Sequence, residues 1–141
     1  MTSVTITVDF CYGHRLLDYD GKCAHLHGHN GRVEVCVHGV TDKLNRSGFV
    51  IDFSDIKAFV KSWIDEEWDH RMQLRSDDPV IGGIREHDDK VRVVGFNPTA
   101  ENMARELFAV VGTFLSGVPE AVNVTSVKFW ETPTSFAEVT L

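Results

Sequence analysis

Histidine and cysteine side chains concentrate in one short stretch of the sequence. Four of the seven histidines, His14, His25, His27 and His29, fall within sixteen residues, and Cys23 lies among them. Three neutral imidazoles around an ion with one open position make the usual catalytic zinc site. A thiol near a metal and imidazoles can lose its proton at neutral pH and act as a base or nucleophile. The stretch therefore predicts a catalytic metal site.

Two of these histidines are expected to share one side of an extended segment. Residues i and i+2 of an extended backbone project to the same side, so His27 and His29 can bind one ion. The third ligand is either His14 or His25. His25 keeps the same alternation, but three alternating histidines on one segment lie almost in a line and converge poorly on a tetrahedral ion. His14 approaches from the end of another predicted strand, and we prefer it as the third ligand.

Two further groups have side chains suited to acid–base work and to ring recognition. Asp69 and His70 follow a predicted helix, and a carboxylate that orients an imidazole is common general acid–base equipment. Glu131 closes a predicted strand, where its carboxylate could accept two parallel N–H bonds from an amidine-like ring edge. The other cysteines, Cys11 and Cys36, lie in or at the end of predicted strands and are expected to serve packing.

Alternation of apolar and polar residues predicts β-strands at both ends of the chain. The predicted strands are 4–10, 32–38, 48–53, 90–94, 122–131 and 135–141. Residues 11–31 lack clean periodicity and are predicted to form a loop that carries the clustered histidines. Residues 71–90 are polar and contain Pro79, so they are predicted to be a surface excursion.

Apolar residues at helical spacing predict two amphipathic helices. The first begins after Ser54, a plausible N-cap, and ends near Trp68. The second begins after Thr99, also a plausible N-cap, and ends at Gly117 and Pro119. The order of strands, helix, helix and strands predicts an α+β fold in which the helices cover one face of a mostly antiparallel sheet.

Length and charge narrow the class of protein. A chain of 141 residues predicts one domain over 1–141. The formal net charge of −7 argues against a general nucleic-acid or anionic-membrane surface. No apolar run approaches the roughly 20 residues of a membrane span, and the first ten residues lack the features of a signal peptide. We therefore expect a cytoplasmic protein with neither a nucleic-acid nor a membrane partner.

Six motifs, taken in order, resemble those of the 6-pyruvoyl-tetrahydropterin synthase family. They are Gly13-His14-Arg15-Leu16, Cys23-Ala24-His25-Leu26-His27-Gly28-His29, Asp52-Phe53, Trp68-Asp69-His70, Asn97-Pro98-Thr99-Ala100-Glu101-Asn102 and Trp130-Glu131-Thr132-Pro133-Thr134-Ser135. The likeness is closer to the bacterial 6-carboxy-tetrahydropterin synthases of queuosine biosynthesis, because three residues separate Cys23 from His27. Two features depart from the family: Cys11-Tyr12-Gly13 stands where small residues are usual, and the excursion 75–95 is longer than in the shortest members.

The resemblance implies a role for each motif residue and a fold. The implied zinc ligands are His14, His27 and His29; the implied catalytic residues are Cys23, Asp69 and His70; the implied pterin contacts are Glu131, Thr99 and Ala100. The implied fold is the tunnelling fold, a four-stranded antiparallel sheet with two helices on one face. Sheets from several subunits, commonly six, close into a β-barrel with pterin pockets between subunits.

The reaction implied by the resemblance is that of a zinc-dependent lyase. It converts 7,8-dihydroneopterin triphosphate into 6-carboxy-5,6,7,8-tetrahydropterin, acetaldehyde and triphosphate. Alternatives are a 6-pyruvoyl-tetrahydropterin synthase, which releases triphosphate alone, and a non-catalytic module that binds a pterin or a metal. Charge alone suggests four triphosphate contacts, Arg15, Lys22, Arg32 and Lys128.

Overall fold

Six strands, three α-helices and one 3₁₀ turn make up the computed structural model, which describes residues 1–141. In chain order they are β1 (Ser3–His14), the 3₁₀ turn (Lys22–Ala24), β2 (His27–Gly39), α1 (Phe53–Glu67), β3 (Met72–Arg75), α2 (Ile81–Arg85), β4 (Val91–Val94), α3 (Ala100–Leu115), β5 (Val122–Thr132) and β6 (Ser135–Thr140). The predicted α+β class is confirmed. None of the helices combines the length and the apolar character that crossing a bilayer requires.

The strands form one sheet in the order β4-β3-β1-β2-β5-β6. Strands β1, β2, β5 and β6 pair antiparallel, as predicted. Strands β3 and β4 add two short parallel strands beside β1, so the four-stranded sheet that the resemblance implies has two strands too few. The strand predicted over 90–94 is confirmed as β4. The segment 71–90, predicted to be only a surface excursion, holds β3 and the short helix α2, so the predicted number of two helices is too low by one. A four-residue strand with the polar Gln73 buried at its centre lacks the apolar alternation that would have indicated it.

The ladder between β1 and β2 extends well into the segment predicted as a loop. Strand β1 continues to His14 and β2 already begins at His27, so the two histidines lie directly opposite each other. Two pairs further along the ladder, after Gly13 and Gly28, Tyr12 faces His29. The prediction of a loop over 11–31 is thus wrong at both ends, because the histidines and glycines there pair through their backbones and interrupt only the side-chain pattern. This register fixes which side chains share a face.

The helix starts follow their capping residues. At α3 the predicted cap is confirmed, since the Thr99 hydroxyl accepts the Asn102 N–H at 3.2 Å. At α1 the cap is Asp52 and not Ser54, because the Asp52 carboxylate accepts the Ser54 N–H at 2.8 Å. The helix therefore begins inside the strand predicted over 48–53. That strand is absent, and its apolar residues Val50 and Ile51 are instead buried in the core.

Helices α1 and α3 pack on one face of the sheet, and an aromatic cluster lies where that core approaches the histidines. The ring centroids of Phe10 and Trp68 are 5.4 Å apart, as are those of Trp68 and Phe129. Tyr12 packs on this cluster, 5.6 Å from Phe10 and 5.5 Å from Phe129. Burying a large apolar side chain of this kind contributes about 1.5–3 kcal/mol. The cluster gives the histidines a packed floor.

Candidate active site

Three histidines converge at one end of the sheet. His14 ends β1 and is fully buried, while His27 and His29 stand at the start of β2. The Nε2 atom of His14 lies 2.9 Å from that of His27 and 3.2 Å from that of His29. The three candidate ligand atoms lie within 4.8 Å of one another and could hold a metal ion. His25, weighed as an alternative, is exposed and lies outside this group.

Backbone carbonyls fix the proton position on two of the three rings. The Nδ1 atom of His14 lies 2.7 Å from the Pro98 carbonyl, and that of His27 lies 2.6 Å from the His25 carbonyl. A carbonyl can only accept, so each Nδ1 carries the proton and each Nε2 of a neutral ring is a bare lone pair. Metal-bound histidines are typically held in this way by a second partner.

The donor set fits a metal ion. Two lone pairs that face each other at 2.9 Å cannot form a hydrogen bond, and a cation between them removes the repulsion. A tetrahedral zinc with Zn–N bonds of about 2.0–2.1 Å holds its nitrogens about 3.4 Å apart. The observed separations of 2.9 and 3.2 Å reach that spacing by shifts of a few tenths of an ångström. His14, His27 and His29 are the residues that would hold the ion.

Electrostatics favour the neutral, metal-ready form of the rings. Burial lowers the pKa of His14 to about 4, the Pro98 carbonyl opposes this change, and the neighbouring His27 and His29 add to it. Burial also lowers the pKa of His29, while the negative Glu131 acts in the opposite direction. His14 and His29 are therefore uncharged at neutral pH, as a metal ligand must be.

Glu131 borders the cluster on the side of β5. Its Oε1 lies 3.5 Å from the His29 Nε2, and its side chain is about a quarter exposed. The ladder between β5 and β6 shifts its register between Trp130 and Thr132, so Glu131 occupies an irregular position that can re-aim its carboxylate. An ion on His29 would occupy the nitrogen that faces Glu131. The carboxylate would then be free to accept N–H bonds from a ligand.

Cys23 lies in the 3₁₀ turn between β1 and β2 and is half-buried. Its carbonyl accepts the Leu16 N–H at 2.8 Å, and its thiol makes no hydrogen bond. Burial raises the pKa of Tyr12, and the charges of Glu131 and of a Cys23 thiolate act in the same direction. The turn that carries Cys23 joins the strand that ends at His14 to the strand that begins at His27. Cys11 is exposed, so the expectation that it serves packing is wrong.

Asp69 and His70 form the hydrogen-bonded pair that the dipeptide suggested. The Asp69 Oδ2 lies 2.9 Å from the His70 Nδ1, and the Asp69 Oδ1 accepts the Cys11 N–H at 3.0 Å. His70 has a φ of 56°, in the left-handed region, and its N–H donates to the Cys11 carbonyl at 2.7 Å. Burial raises the pKa of Asp69, but the hydrogen bonds from Cys11 and His70 outweigh it and the net change is downward.

This pair lies away from the three histidines. Asp69 lines a groove of about 800 Å³ together with side chains of β1, β2 and β5 that point away from the helices. Cys11 and Asn30 belong to this groove, and the Cys11 thiol donates to the Asn30 Oδ1 at 3.1 Å. No hydrogen bond joins Asp69 or His70 to Cys23 or to any of the three clustered histidines. Within one chain the structure therefore does not bring the predicted catalytic residues together.

The Asn97-Pro98-Thr99 segment holds His14 through the hydrogen bond between the His14 Nδ1 and the Pro98 carbonyl. The Asn97 side chain accepts the Leu17 N–H at 2.9 Å and donates to the Leu17 carbonyl at 2.8 Å, which ties this segment to the end of β1. The Thr99 hydroxyl is engaged as the helix cap, and the half-buried Ala100 opens α3. Their predicted contacts with a ring remain a prediction.

Three of the four predicted triphosphate contacts already have partners in the chain. Arg15 forms two hydrogen bonds with the buried Asp78, at 2.7 and 2.5 Å. Arg32 pairs with Asp9 at 2.7 Å. Lys128 lies over the ring of Phe136, 5.0 Å from its centroid. Any role of these residues with a triphosphate stays a prediction.

Comparison with known proteins places the chain in a family. The family model described as 6-pyruvoyl tetrahydropterin synthase matches residues 3–141. The chain belongs to the 6-pyruvoyl tetrahydropterin synthase family. Among its relatives, a protein of Rickettsia conorii named 6-carboxy-5,6,7,8-tetrahydropterin synthase is 38% identical over 141 residues, which cover 99% of this chain and 100% of the relative.

Solved structures share the fold of this family member. An uncharacterized protein of Wolinella succinogenes superposes with a TM-score of 0.84 and 29% identity, over 99% of this chain and 97% of the other. A 6-pyruvoyl tetrahydropterin synthase of Caenorhabditis elegans superposes with a TM-score of 0.70 and 22% identity, over 99% and 95%. The predicted tunnelling fold is confirmed, and the chain is an enzyme of the tetrahydropterin synthase family.

Three groups that position the histidines could not be predicted from the sequence. The Pro98 and His25 carbonyls that orient two rings left no signal, because any residue supplies a carbonyl. Tyr12, which packs between His14 and His29, was noted only as an unusual residue beside a motif. Its position in the alternation of β1, two residues before His14, would have placed it on the same face.

Proposed function

We propose that this chain is a zinc-dependent 6-carboxy-5,6,7,8-tetrahydropterin synthase. The substrate would be 7,8-dihydroneopterin triphosphate, and the products 6-carboxytetrahydropterin, acetaldehyde and triphosphate. The triphosphate leaves and the two outer side-chain carbons leave as acetaldehyde. The remaining carbon is oxidised to the carboxyl group, with one oxygen from water, while the 7,8-dihydro ring takes up electrons and becomes the 5,6,7,8-tetrahydro ring. The observation that carries the proposal is the convergence of three Nε2 lone pairs, two of them fixed by carbonyls. Relatives that bear this enzyme's name support it.

His14, His27 and His29 would hold the ion. A bound zinc supplies Lewis acidity to a ligand oxygen at its open position. The packed floor and the carbonyl bonds keep these rings in place while a ligand binds, so little reorganisation is needed. Because the three histidine ligands are neutral, the ion would keep its full positive charge. That charge would favour a ligand with acidic hydroxyl groups.

Cys23 would move a proton on the histidine side of the sheet. Its half-buried thiol has no hydrogen-bond partner in the chain and is free to face a ligand. Asp69 orients His70 through Nδ1, which leaves Nε2 of the exposed His70 ring able to exchange a proton. A general acid or base of this kind contributes roughly 10²–10⁴-fold in rate.

The separation of these groups supports an oligomeric enzyme. Asp69 lines a groove on the sheet face opposite the histidines, so in one chain it cannot share a ligand with Cys23. We propose that Asp69 and His70 of one copy meet Cys23 of another, in the homohexamer with inter-subunit sites that the resemblance implies. Glu131 would accept two N–H bonds from the pterin's 2-amino-4-oxo edge. Thr99 and Ala100 would contact the ring through the segment behind His14.

The reaction is tested by incubating zinc-loaded protein with 7,8-dihydroneopterin triphosphate and measuring acetaldehyde and triphosphate. We expect the two products in equal amounts. Triphosphate without acetaldehyde would instead indicate a 6-pyruvoyl-type synthase, and binding without turnover would indicate a pterin-binding module.

Two variants and metal removal test the roles assigned here. Cys23→Ala should lose turnover by at least about 100-fold, whereas Cys36→Ala, a matched change of a half-buried cysteine on β2, should keep it. Unchanged turnover in Cys23→Ala would remove the thiol from the mechanism. Chelation of the metal should abolish turnover while the circular dichroism spectrum is kept; unfolding on chelation would indicate a structural ion instead.

A further inference from the structure

The hydroxyl group of Tyr12 is buried without a hydrogen-bond partner. Only 3% of Tyr12 is exposed, and its hydroxyl oxygen is one of two buried side-chain polar atoms in the chain that lack a partner. Buried polar groups in folded proteins are nearly always paired, because an unpaired one loses its bonds to water and gains nothing in return. An orphaned hydroxyl beside a ligand site therefore indicates that the ligand is the missing partner.

The Tyr12 ring lies on the face that holds the histidines. Its centroid is 5.2 Å from that of His14 and 5.5 Å from that of His29. The ring leans across β2 at Gly31, where an added Cβ would lie 3.2 Å from the Tyr12 Cε1. On the far side it packs on Phe129 of β5. The ring therefore lies between the aromatic cluster and the histidines, and the space between those histidines and Glu131 lies next to it.

Three of the groups around that space, two imidazoles and a carboxylate, are acceptors in the metal-ready form. Two Nε2 atoms carry lone pairs because their Nδ1 protons are held by carbonyls. The Glu131 carboxylate, whose Oε1 lies 3.5 Å from the His29 Nε2, also accepts. An oxygen of a ligand bound there needs a donor, which none of these groups supplies. A phenolic O–H is such a donor.

We propose that Tyr12 is a further ligand-binding residue of this site, whose hydroxyl donates a hydrogen bond to an oxygen of the pterin's side chain. The proposal rests on the proposed function, since it takes the ligand to be a pterin with a hydroxylated side chain. Glu131 would hold the ring edge, and Tyr12 would select for oxygen on the side chain and orient it towards the histidines.

The test compares two probes on zinc-loaded protein: neopterin, with its hydroxylated side chain, and 6-methylpterin, which has none. Binding is followed by the quenching of pterin fluorescence. Tyr12→Phe keeps the ring and removes only the hydroxyl, and it should weaken neopterin binding about ten-fold. Binding of 6-methylpterin should stay unchanged. Tyr19→Phe is the matched control, because Tyr19 is the other tyrosine and is 53% exposed.

A second readout does not involve the ligand. In the metal-free protein, Tyr12→Phe removes an unpaired buried group, so its melting temperature should equal or exceed that of the parent. A clear fall would mean that the hydroxyl already has a partner in the chain, and the proposal would be wrong. Equal weakening of both probes would mean that Tyr12 acts through Glu131 on the ring, and unchanged neopterin binding would also overturn it. If the parent protein binds neither probe, the proposed function itself fails.

Discussion

Two aromatic rings, Phe10 and Tyr12, occupy the space where a side chain at Gly31 would lie. Adding one methyl group at Gly31 therefore tests how tightly the site is packed. A Cβ at Gly31 would lie 2.8 Å from the Phe10 Cζ and 3.2 Å from the Tyr12 Cε1, whereas ordinary contacts begin near 3.4 Å. Both rings are at least 95% buried, and Phe10 is packed against Trp68 and Phe129. Neither ring can move aside without disturbing the aromatic cluster beneath the histidines.

The expected cost of Gly31→Ala follows from two opposing effects. Overpacking of a well-filled core costs about 1–3 kcal/mol. The backbone of Gly31 is not in the left-handed region, so alanine can adopt it without strain. Alanine also restricts the unfolded chain, and this stabilises the folded state by about 0.4–1 kcal/mol, which offsets part of the overpacking cost. The net destabilisation should be about 1–2 kcal/mol, which lowers the melting temperature of a domain of this size by about 3–8 °C.

Urea unfolding of Gly31→Ala and of a matched control measures this cost. Gly82→Ala is the control, because Gly82 lies in α2 and an added Cβ there meets nothing within 4 Å. It should be neutral or stabilising by up to about 1 kcal/mol. If Gly31→Ala proves as stable as the parent, the rings are free to shift and Tyr12 is not held in place, which refutes the packing argument.

Three further changes test the site and its surroundings. His14→Ala should lose zinc after dialysis, whereas His25→Ala should keep it, as measured by the metal content per chain; loss in both would argue against the three-histidine set. Glu131→Gln should weaken binding of a pterin about 10–100-fold in a fluorescence titration, because a charge-assisted pair of hydrogen bonds is lost, and unchanged affinity would contradict its role. Asp78→Asn should destabilise the protein by about 3 kcal/mol at pH 7, because it breaks a buried pair with Arg15. Burial raises the pKa of Asp78, but the hydrogen bonds from Arg15 outweigh it and the pKa in the folded protein lies below 3.8. The stabilisation by the Asp78–Arg15 pair is therefore present above pH 3.8 and is lost as the pH falls through the pKa of Asp78 in the folded protein. The difference in unfolding free energy between Asp78→Asn and the parent should therefore narrow from pH 7 to pH 3, and a constant difference would contradict this assignment.

Periodicity predicted much of what positions the site. Each of the main strands and helices buries one face, and that face is apolar. The two-residue repeat in β1 and β2 and the helical repeat in α1 and α3 therefore indicated these elements. The grouping of His27 with His29 followed from the two-residue repeat of a strand. The preference for His14 over His25 followed from the need to approach an ion from different directions, and the structure brings His14 to the group.

The parts that could not be predicted depend on contacts between distant residues. Strand β3 forms because a four-residue segment pairs with the end of β1, and Gln73 is buried there through its own hydrogen bond to the Glu67 carbonyl. The cap of α1 was misplaced by two residues because Asp52 and Ser54 are both good caps. The exposure of Cys11 follows from the alternation of β1 once that strand is known to continue to His14, because Cys11 then shares the polar face with Asp9.

The histidines and the groove lie back to back on the same two strands. Cys11 and Asn30 form one rung of the ladder and Tyr12 and His29 the next, with their side chains on opposite faces. A peptide that tilts to accommodate a change on one face must rotate the neighbouring side chain on the other. Substitutions in the groove and at the histidines should therefore have non-additive energies, even where the altered atoms never touch. Engineering of either face has to treat both as one unit.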